Sequence, residues 1–226
     1  MSRWTRDEVA ARIALDIPDG SYVNLGIGIP TMVADHVPAG RELVFHTENG
    51  MLGMGSAAVG DAIDEDLINA GKLYVTESVG CSYFHHADSF AMIRGRHIEY
   101  CVIGAYQVTV DGDLANWRTN SPDVIPGVGG AMDLAVGARN LFVAMDLFTK
   151  TGDCKLVAEA AYPLTGIGCV NRIYTDYGIF EPNGAGFTAV ELAGDTTLGE
   201  LQERCHVPLT DAGTTGETKT TTGVHC

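Results

Sequence analysis

The 226-residue sequence predicts an α/β fold with an open, mostly parallel sheet that is mixed at one end and flanked by helices. Short apolar segments alternate with helical ones through much of the chain, which is typical of a parallel sheet. The first apolar segment leads through a glycine turn into a helix. Later apolar segments are separated by tight turns, which indicates antiparallel pairing towards the far end of the sheet.

The first helix and the first strand have strong local signals. Thr5–Glu8 form a capping box, and apolar residues follow at four-residue spacing, so an amphipathic helix is predicted to run until Asp19-Gly20 stops it. Tyr22–Leu25 is predicted as a short strand. Gly26-Ile27-Gly28 then turns the chain into a second helix with Pro30 in its first turn.

The remaining elements follow from the same periodicities and turn signals. Predicted strands are Leu43–Phe45, Leu73–Thr76, Ile98–Gly104, Leu141–Met145, Arg172–Phe180 and Phe187–Glu191. A hairpin turn is predicted at Asp111-Gly112-Asp113, after Gln107–Val110. Predicted helices are Asp64–Ala70, His86–Arg94 and a last one that a second capping box, Thr197–Glu200, opens and that runs to about Arg204. We expect one domain over residues 1–208 and a disordered tail, rich in Thr and Gly, over residues 209–226.

Charge and hydropathy exclude several classes of protein. The formal net charge is −15 with 14 Lys and Arg residues, which argues against a nucleic-acid partner because nonspecific binding depends on clustered cations. No apolar run approaches the roughly 20 residues that cross a bilayer, so no membrane segment is expected. The N-terminal Met1–Glu8 has acidic residues where a signal peptide needs an apolar core, which predicts a cytoplasmic protein.

The cysteines and histidines do not predict a metal site. Six cysteines are scattered without a C-x-x-C pair, which predicts reduced, mostly buried thiols and no structural zinc. His85 and His86 are adjacent and would face opposite sides of a strand. Cys81 with His85 could suggest a thiol nucleophile, but no orienting acid is assignable, and a buried cysteine is the simpler interpretation.

The most informative segment is Thr47–Gly55, which reads T-E-N-G-M-L-G-M-G. Glu48 follows an apolar strand and precedes Asn49-Gly50, a dipeptide that favours tight turns, so its side chain is expected to project from the strand end. An ionised carboxylate is a nucleophile at neutral pH without an activating base. Gly53 and the glycine that ends the segment leave a backbone bare enough for a ligand to lie against it. The alternative is a solvated turn residue beside a structural Asn-Gly.

Two glycine clusters offer backbone N–H groups to a ligand. The turn at Gly26 and Gly28 lacks the third glycine of a dinucleotide fingerprint, which falls at Thr31, so a nicotinamide cofactor is not predicted. The turn is either an anion site at a helix start or a plain tight turn. Gly129-Gly130, within G-V-G-G-A-M-D, could form an oxyanion hole; the alternative is a flexible loop after the preceding proline.

Long motifs in order along the chain resemble one family. They are Y-V-N-L-G-I-G-I-P-T, T-E-N-G-M-L-G-M-G, D-L-I-N-A-G-K, D-S-F-A-M-I-R-G, G-D-L-A-N-W, G-G-A-M-D-L and Y-P-L-T-G. From about Arg6 to Pro208 the chain resembles the B subunit of the family I 3-oxoacid CoA-transferases. F-H-H-A-D-S-F, D-G-D-L-A-N-W and Y-P-L-T-G-I-G-C-V are most similar to members that act on 3-oxoadipate rather than acetoacetate. The chain departs from the family at Thr47, where Ser is common, and at Arg96, where Gly is usual and where Arg could alter substrate contacts.

The resemblance implies a fold of the CoA-transferase and ribose-phosphate-isomerase type and assigns roles to residues. Glu48 matches the catalytic glutamate, and Gly130 matches the glycine whose N–H serves the oxyanion hole. A second donor belongs to an A subunit, in an A2B2 heterotetramer. The residues expected to contact CoA or substrate are Gly26, Gly28, Asn49, Gly50 and Gly129.

The implied reaction moves CoA from succinyl-CoA to 3-oxoadipate, in the β-ketoadipate pathway of aromatic degradation, through a glutamyl-CoA thioester. No cofactor and no metal are expected, because CoA enters as part of the substrate. The alternatives are a transferase for acetoacetate or another 3-oxo acid, a CoA hydrolase on the same scaffold, or a ligand-sensing module without catalysis.

Overall fold

A computed structural model of the chain describes residues 1–120 and 127–213. The helices are α1 (Arg6–Asp16), α2 (His86–Arg94), α3 (Ala131–Gly137) and α4 (Leu198–Gln202), with 3₁₀ helices at Ile29–His36 and Gly60–Ala62. The strands are β1 (Tyr22–Leu25), β2 (Val44–Thr47), β3 (Met51–Ala57), β4 (Val75–Tyr83), β5 (Tyr100–Ile103), β6 (Gln107–Thr109), β7 (Leu114–Ala115), β8 (Asn140–Ala144), β9 (Leu156–Val157), β10 (Val170–Tyr174), β11 (Gly178–Pro182), β12 (Phe187–Leu192) and β13 (Leu209–Asp211).

The main sheet has ten strands in the order β13-β12-β11-β10-β8-β5-β1-β2-β3-β4. Its centre, from β10 to β2, is parallel. From β1 the chain runs outward in one direction to β2 and later returns on the other side to β5, so the direction of winding switches between β1 and β5. Crevices at such a switch, outside the carboxyl ends of the strands, are where open α/β sheets bind ligands.

Alternating side chains of the central strands build a core on each face of the sheet. On β5, Cys101 and Ile103 point into the core beneath α2, α3, α4 and the small sheet β7-β6-β9. Val102 points into the other core, with α1 and the first 3₁₀ helix. Burial on both faces explains why the central strands read as continuous apolar runs.

The fold class and most elements are as predicted. The capping boxes at Thr5 and Thr197 are both formed, and they open α1 and α4. The predicted strand at Tyr22–Leu25 and the predicted helix at His86–Arg94 have the observed bounds. The predicted second helix is a 3₁₀ helix that has a proline in its first turn.

Several local predictions are wrong. Asp64–Ala70 is not helical. The Asp64 carboxylate accepts from the Asp66 N–H in an Asx turn, and the Asn69 side chain accepts from the Leu73 N–H; such local bonds from side chain to backbone compete with helix. The predicted strand Arg172–Phe180 is a hairpin of β10 and β11, whose turn is held by the Thr175 hydroxyl bonded to Gly178. The predicted strand at Leu73 begins instead at Val75 and runs further, to Tyr83.

The ends of the sheet also differ from the prediction. Antiparallel pairs were expected at one end, but β2-β3-β4 form an antiparallel meander at the other end as well. Leu209–Asp211, assigned to the tail, pairs in parallel with β12 as an edge strand. Residues 214–226 of the predicted tail and the proline-containing segment 121–126 lie outside the described residues.

Candidate active site

Glu48 lies in the tight turn that joins β2 to β3, directly after the last residue of a parallel strand. Gly50 closes this turn, since its N–H donates to the Thr47 carbonyl at 3.1 Å and its φ is +121°. Only glycine adopts such a conformation readily. The turn therefore places Glu48 at the carboxyl edge of the sheet, as its position before Asn-Gly predicts.

The Glu48 side chain lines a cavity of about 520 Å³ at the carboxyl ends of β1 and β5. Apart from Glu48 the walls are mostly glycine residues and apolar side chains. The lining includes Gly26, Ile27, Ile103, Gly104, Ala105, Tyr106, Asn116, Gly127, Val128, Gly129, Gly130, Ala131 and Leu134. Four separate segments of the chain thus meet at one carboxylate.

Gly130 is the closest of these glycines to the carboxylate. It precedes α3, and a Cβ at this position would lie 3.4 Å from Glu48 Oε2 and only 2.6 Å from the Phe90 ring. Any larger residue would therefore displace Phe90 or Glu48. Within the described residues, the N–H groups of Gly129 and Gly130 have no hydrogen-bond acceptor. They remain available for an oxygen bound in the cavity.

The environment of Glu48 makes its carboxylate poorly solvated. Burial raises the pKa of Glu48, and the nearby His86 opposes part of that rise. His86 is held against Phe90 with ring centroids 4.8 Å apart. In the described part of the chain, Glu48 makes no hydrogen bond and no ion pair. A carboxylate that has lost hydration without gaining partners is more basic and more nucleophilic than one in water.

A buried polar network supports the strand beneath Glu48. Asn24 Nδ2 lies 3.0 Å from His46 Nδ1, and His46 Nε2 lies 2.8 Å from Ser89 Oγ. Because the amide nitrogen is a donor, Nδ1 accepts and Nε2–H donates to Ser89, which in turn donates to the Thr47 carbonyl at 3.3 Å. Burial lowers the pKa of His46 to about 4, so it is neutral. The network ties β1, β2 and α2 to the peptide that carries Glu48.

Not all predicted site residues face the cavity. Gly26, Glu48, Gly129 and Gly130 line it together, whereas Gly28, with φ +94°, starts the first 3₁₀ helix outside it.

Asn49 and Gly50 line a separate, smaller cavity. The Asn49 amide donates to the Ile68 carbonyl at 2.8 Å, and a Cβ on Gly50 would collide with the Phe84 carbonyl oxygen. In this structure both residues shape the turn rather than the wall beside Glu48.

The bare backbone at Gly53 and Gly55 has a role other than the expected ligand contact. A Cβ on Gly53 would lie 3.0 Å from the Cys81 Cα, and one on Gly55 would overlap the Thr76 hydroxyl. Both glycines therefore permit close packing of β3 on β4. The neighbouring strand β4 occupies the Cβ side of both glycines, but Gly55 also lines a small separate cavity, so the expected ligand contact at this backbone stays a prediction.

Sequence reasoning missed the polar side chains of the cavity, Tyr106 and Asn116. The Asn116 side chain accepts from the Thr165 hydroxyl at 2.6 Å and donates to the Gly104 carbonyl at 3.2 Å. Tyr106 packs edge-on against Tyr162, with ring centroids 6.2 Å apart. A signal was available in the sequence. Asn116 lies in the motif D-G-D-L-A-N-W, and Tyr162 and Thr165 lie in Y-P-L-T-G. Both motifs carried the family resemblance, but no role was assigned to them.

Arg96 does not line the Glu48 cavity. It lies just beyond α2, where its N–H donates to the Ile93 carbonyl and its φ is +59°. This left-handed conformation closes many helices and favours glycine. The backbone at this position thus suits the glycine that the family resemblance led us to expect, and the location of Arg96 gives no support to an effect on substrate contacts.

No helix in the described ranges is long and apolar enough to cross a bilayer. Nor do those ranges bring together three or more His, Cys, Asp or Glu residues in a way that could hold a metal ion.

Comparison with known proteins gives consistent matches. A family model described as Coenzyme A transferase matches residues 6–215. The chain is 55% identical over 207 residues to the B subunit of the 3-oxoadipate CoA-transferase of Pseudomonas putida, covering 92% of this chain and 97% of that one. It is 44% identical over 199 residues to the B subunit of the succinyl-CoA:3-ketoacid coenzyme A transferase of Helicobacter pylori, covering 88% and 95%.

Among solved structures, an acyl-CoA transferase from Escherichia coli O157:H7 matches with a TM-score of 0.71. The two are 16% identical, and the match covers 93% of this chain and 42% of that one, so it supports the fold alone. The sequence matches go further, because they cover nearly the whole of this chain and, for the relative from Pseudomonas putida, nearly the whole of that chain as well. The chain belongs to the Coenzyme A transferase family.

Proposed function

We propose that this chain is the B subunit of a transferase that moves CoA from succinyl-CoA to 3-oxoadipate, with Glu48 as the nucleophile. The observation that carries the proposal is a desolvated carboxylate, Glu48, facing the bare backbone at Gly130 in one cavity. The choice of acid is supported by the relative from Pseudomonas putida, at 55% identity.

The first half of the reaction loads CoA onto the enzyme. The Glu48 carboxylate attacks the thioester carbonyl of succinyl-CoA, which gives an acyl-glutamyl anhydride and CoA thiolate. The thiolate then attacks the glutamyl carbonyl, which releases succinate and leaves a glutamyl-CoA thioester. Each addition places negative charge on a carbonyl oxygen, and the N–H groups of Gly129 and Gly130 would meet that charge.

The second half reverses these steps with a different acid. The carboxylate of 3-oxoadipate attacks the glutamyl thioester, which forms a new anhydride and releases CoA thiolate. The thiolate attacks the substrate carbonyl of the anhydride, so that 3-oxoadipyl-CoA leaves and the Glu48 carboxylate is restored. Electrons and atoms balance without any further cofactor or metal.

The proposal includes a second chain and a cellular location. An A subunit would supply another oxyanion donor and cover the open side of the cavity, in an A2B2 assembly. Water must be kept from the thioester, because hydrolysis would waste it. The reaction would take place in the cytoplasm.

The test is to trap the intermediate and compare acids. The purified complex of this chain with its A subunit, mixed with succinyl-CoA and no acceptor, is expected to carry CoA on Glu48 by mass spectrometry of peptides. Glu48→Ala should carry none, whereas a matched control at the exposed Glu42 should be labelled like the parent. Adding 3-oxoadipate should discharge the adduct faster than adding acetoacetate.

Other outcomes would replace the proposal. Faster discharge by acetoacetate would assign a different acid, and rapid CoA release without any acceptor would indicate a hydrolase. A protein that binds succinyl-CoA but never forms the adduct would be a sensing module.

A further inference from the structure

Two cysteines outside the Glu48 cavity lie in direct contact. Cys154 closes a hairpin in which it pairs with Phe148, and Cys205 follows α4. Their Sγ atoms are 2.9 Å apart although the residues are 51 positions apart in sequence. A disulfide bond is about 2.05 Å long. Each sulfur would need to move by less than half an ångström for a bond to form.

The pair has the asymmetry that disulfide chemistry needs. Cys154 is half-buried, and its hydrogen bond with Cys205 together with the charge of Arg204 lowers the pKa of its thiol. Cys205 is 2% exposed, and the same contact and burial raise the pKa of its thiol. The Arg204 guanidinium is fixed 3.7 Å above the Phe148 ring. Cys154 is the more exposed of the two, so a peroxide reaches its sulfur first, and we assign it as the attacking thiolate and Cys205 as the resolving thiol.

The other described cysteines lack this arrangement. Within residues 1–120 and 127–213, no other two cysteine sulfurs are in hydrogen-bond contact. Cys101 is fully buried, and its pKa is raised. Burial also raises the pKa of Cys169, to about 11. Both would be poor nucleophiles towards an oxidant.

We propose that Cys154 and Cys205 are a reversible oxidation site, at which a hydroperoxide converts the two thiols to a disulfide. The Cys154 thiolate attacks one peroxide oxygen, which becomes part of a sulfenic acid while the other leaves as hydroxide or alkoxide. Cys205 sulfur attacks the sulfenic sulfur and loses its proton, and hydroxide leaves to be protonated. Two electrons and two protons pass from the thiols to the peroxide, which with hydrogen peroxide yields two waters.

The bond would join the Phe148–Cys154 hairpin to the C-terminal α4 and so close a loop that contains β10, β11 and β12. A disulfide that closes a loop of this length stabilises chiefly by restricting the unfolded chain. We expect the melting temperature of the oxidised protein to rise by about 5–15 °C. Neither cysteine lines the Glu48 cavity, so the inference does not depend on the proposed reaction.

The test uses the full chain in its purified complex. The protein is treated with limiting hydrogen peroxide, quenched with catalase, alkylated with N-ethylmaleimide and digested without reductant. We expect a Cys154–Cys205 linked peptide, a higher melting temperature, and reversal of both by dithiothreitol. The Cys154→Ser variant should show neither change, whereas the matched control Cys81→Ser, which removes another half-buried thiol, should behave like the parent.

Three results would overturn the inference. The first is a failure to form the disulfide at peroxide levels that oxidise Cys81, seen either as full alkylation of both thiols or as sulfinic acid on Cys154. The second is a link from either cysteine to Cys226 instead. The third is an equal rise in melting temperature in Cys154→Ser. The linked peptide is sought in the unmodified sequence, so the test remains decisive even where a serine variant folds poorly.

Discussion

Two groups of carboxylates in this protein have opposite surroundings. On β10, Arg172 donates to Glu181 at 2.6 Å and to Asp16 at 2.8 Å, and the Tyr174 hydroxyl also donates to Asp16. On the turn after β2, Glu48 has no such donor among the described residues, and burial raises its pKa. The first group stabilises the contact of α1 with the sheet, whereas the unpaired carboxylate is left reactive at a cost in stability.

The largest effect on transfer activity should come from replacing the Glu48 carboxylate by its amide, and the same replacement at Glu181 is the control. Glu48→Gln removes the nucleophile, and we expect transfer activity to fall by about 10⁴-fold or more. Glu181→Gln should leave kcat/KM within about threefold. Steady-state rates of the purified complexes, measured at equal A-subunit content, provide the comparison. Equal losses in the two variants would contradict the distinction between them.

The same two variants should move stability in opposite directions. A raised carboxyl pKa means that the ionised form is disfavoured in the folded state, and this cost is fully present at pH above the folded pKa. Glu48→Gln is neutral at every pH and should gain about 1 kcal/mol at pH 8. Glu181→Gln should lose about 1 kcal/mol, because Arg172 loses half of its partners. Urea unfolding at pH 8 measures both.

Gly130 provides the next largest effect. In Gly130→Ala the new methyl group would lie 2.6 Å from the Phe90 ring, so it must displace either that ring or Glu48. We expect about a 10²-fold loss of kcat, the usual cost of misplacing reacting groups by about 1 Å. Gly199→Ala is the matched control, since Gly199 lies outside the Glu48 cavity and a Cβ there meets no atom of the described residues within 4 Å. Similar losses at both glycines would argue against a specific contact at Gly130.

The neutral His46 beneath the nucleophile should produce a pH effect on stability. The pKa of His46 is about 4 in the folded protein, below the ordinary value of 6.5. Between these two pH values the unfolded chain therefore binds a proton at this residue, whereas the folded chain does not. Stability should therefore fall by about 3 kcal/mol as the pH drops from about 6.5 to 4. Denaturation midpoints are best measured in Glu48→Gln, because the raised pKa of Glu48 contributes with the opposite sign. His46→Gln should flatten the profile, and an unchanged slope would refute this assignment.

The smallest expected effect lies away from both groups of carboxylates. Arg96 and Lys72 are the two described non-glycine residues with positive φ, at +59° and +61°. Replacing either with glycine should stabilise the fold by about 0.5–1 kcal/mol through relief of the left-handed strain. Thermal melts test this, and transfer activity should not change in Arg96→Gly, which is outside the Glu48 cavity. A lower melting temperature in both variants would show that lost side-chain contacts outweigh strain.

Prediction from sequence succeeded where the signal was local. The capping boxes at Thr5 and Thr197, the turn after Glu48 and the helix His86–Arg94 depend on hydrogen bonds between residues a few positions apart. It failed for Asp64–Ala70, where side chains that bond to nearby backbone overrode the apolar pattern. It also missed the length of β4 and its close packing on β3, because glycines that permit two strands to approach closely look identical in sequence to glycines that face a ligand.

For the candidate site, the sequence by itself determined the position of Glu48 at a strand end before an Asn-Gly turn, and the family motifs singled out Gly130. The tertiary structure alone decided that these two lie side by side at the Phe90 ring, that Asn116 joins them, and that Asn49 faces elsewhere. It also decided that Cys154 and Cys205 touch. The physical reason is that these contacts join segments tens of residues apart, and only the order of strands in the sheet brings such segments together.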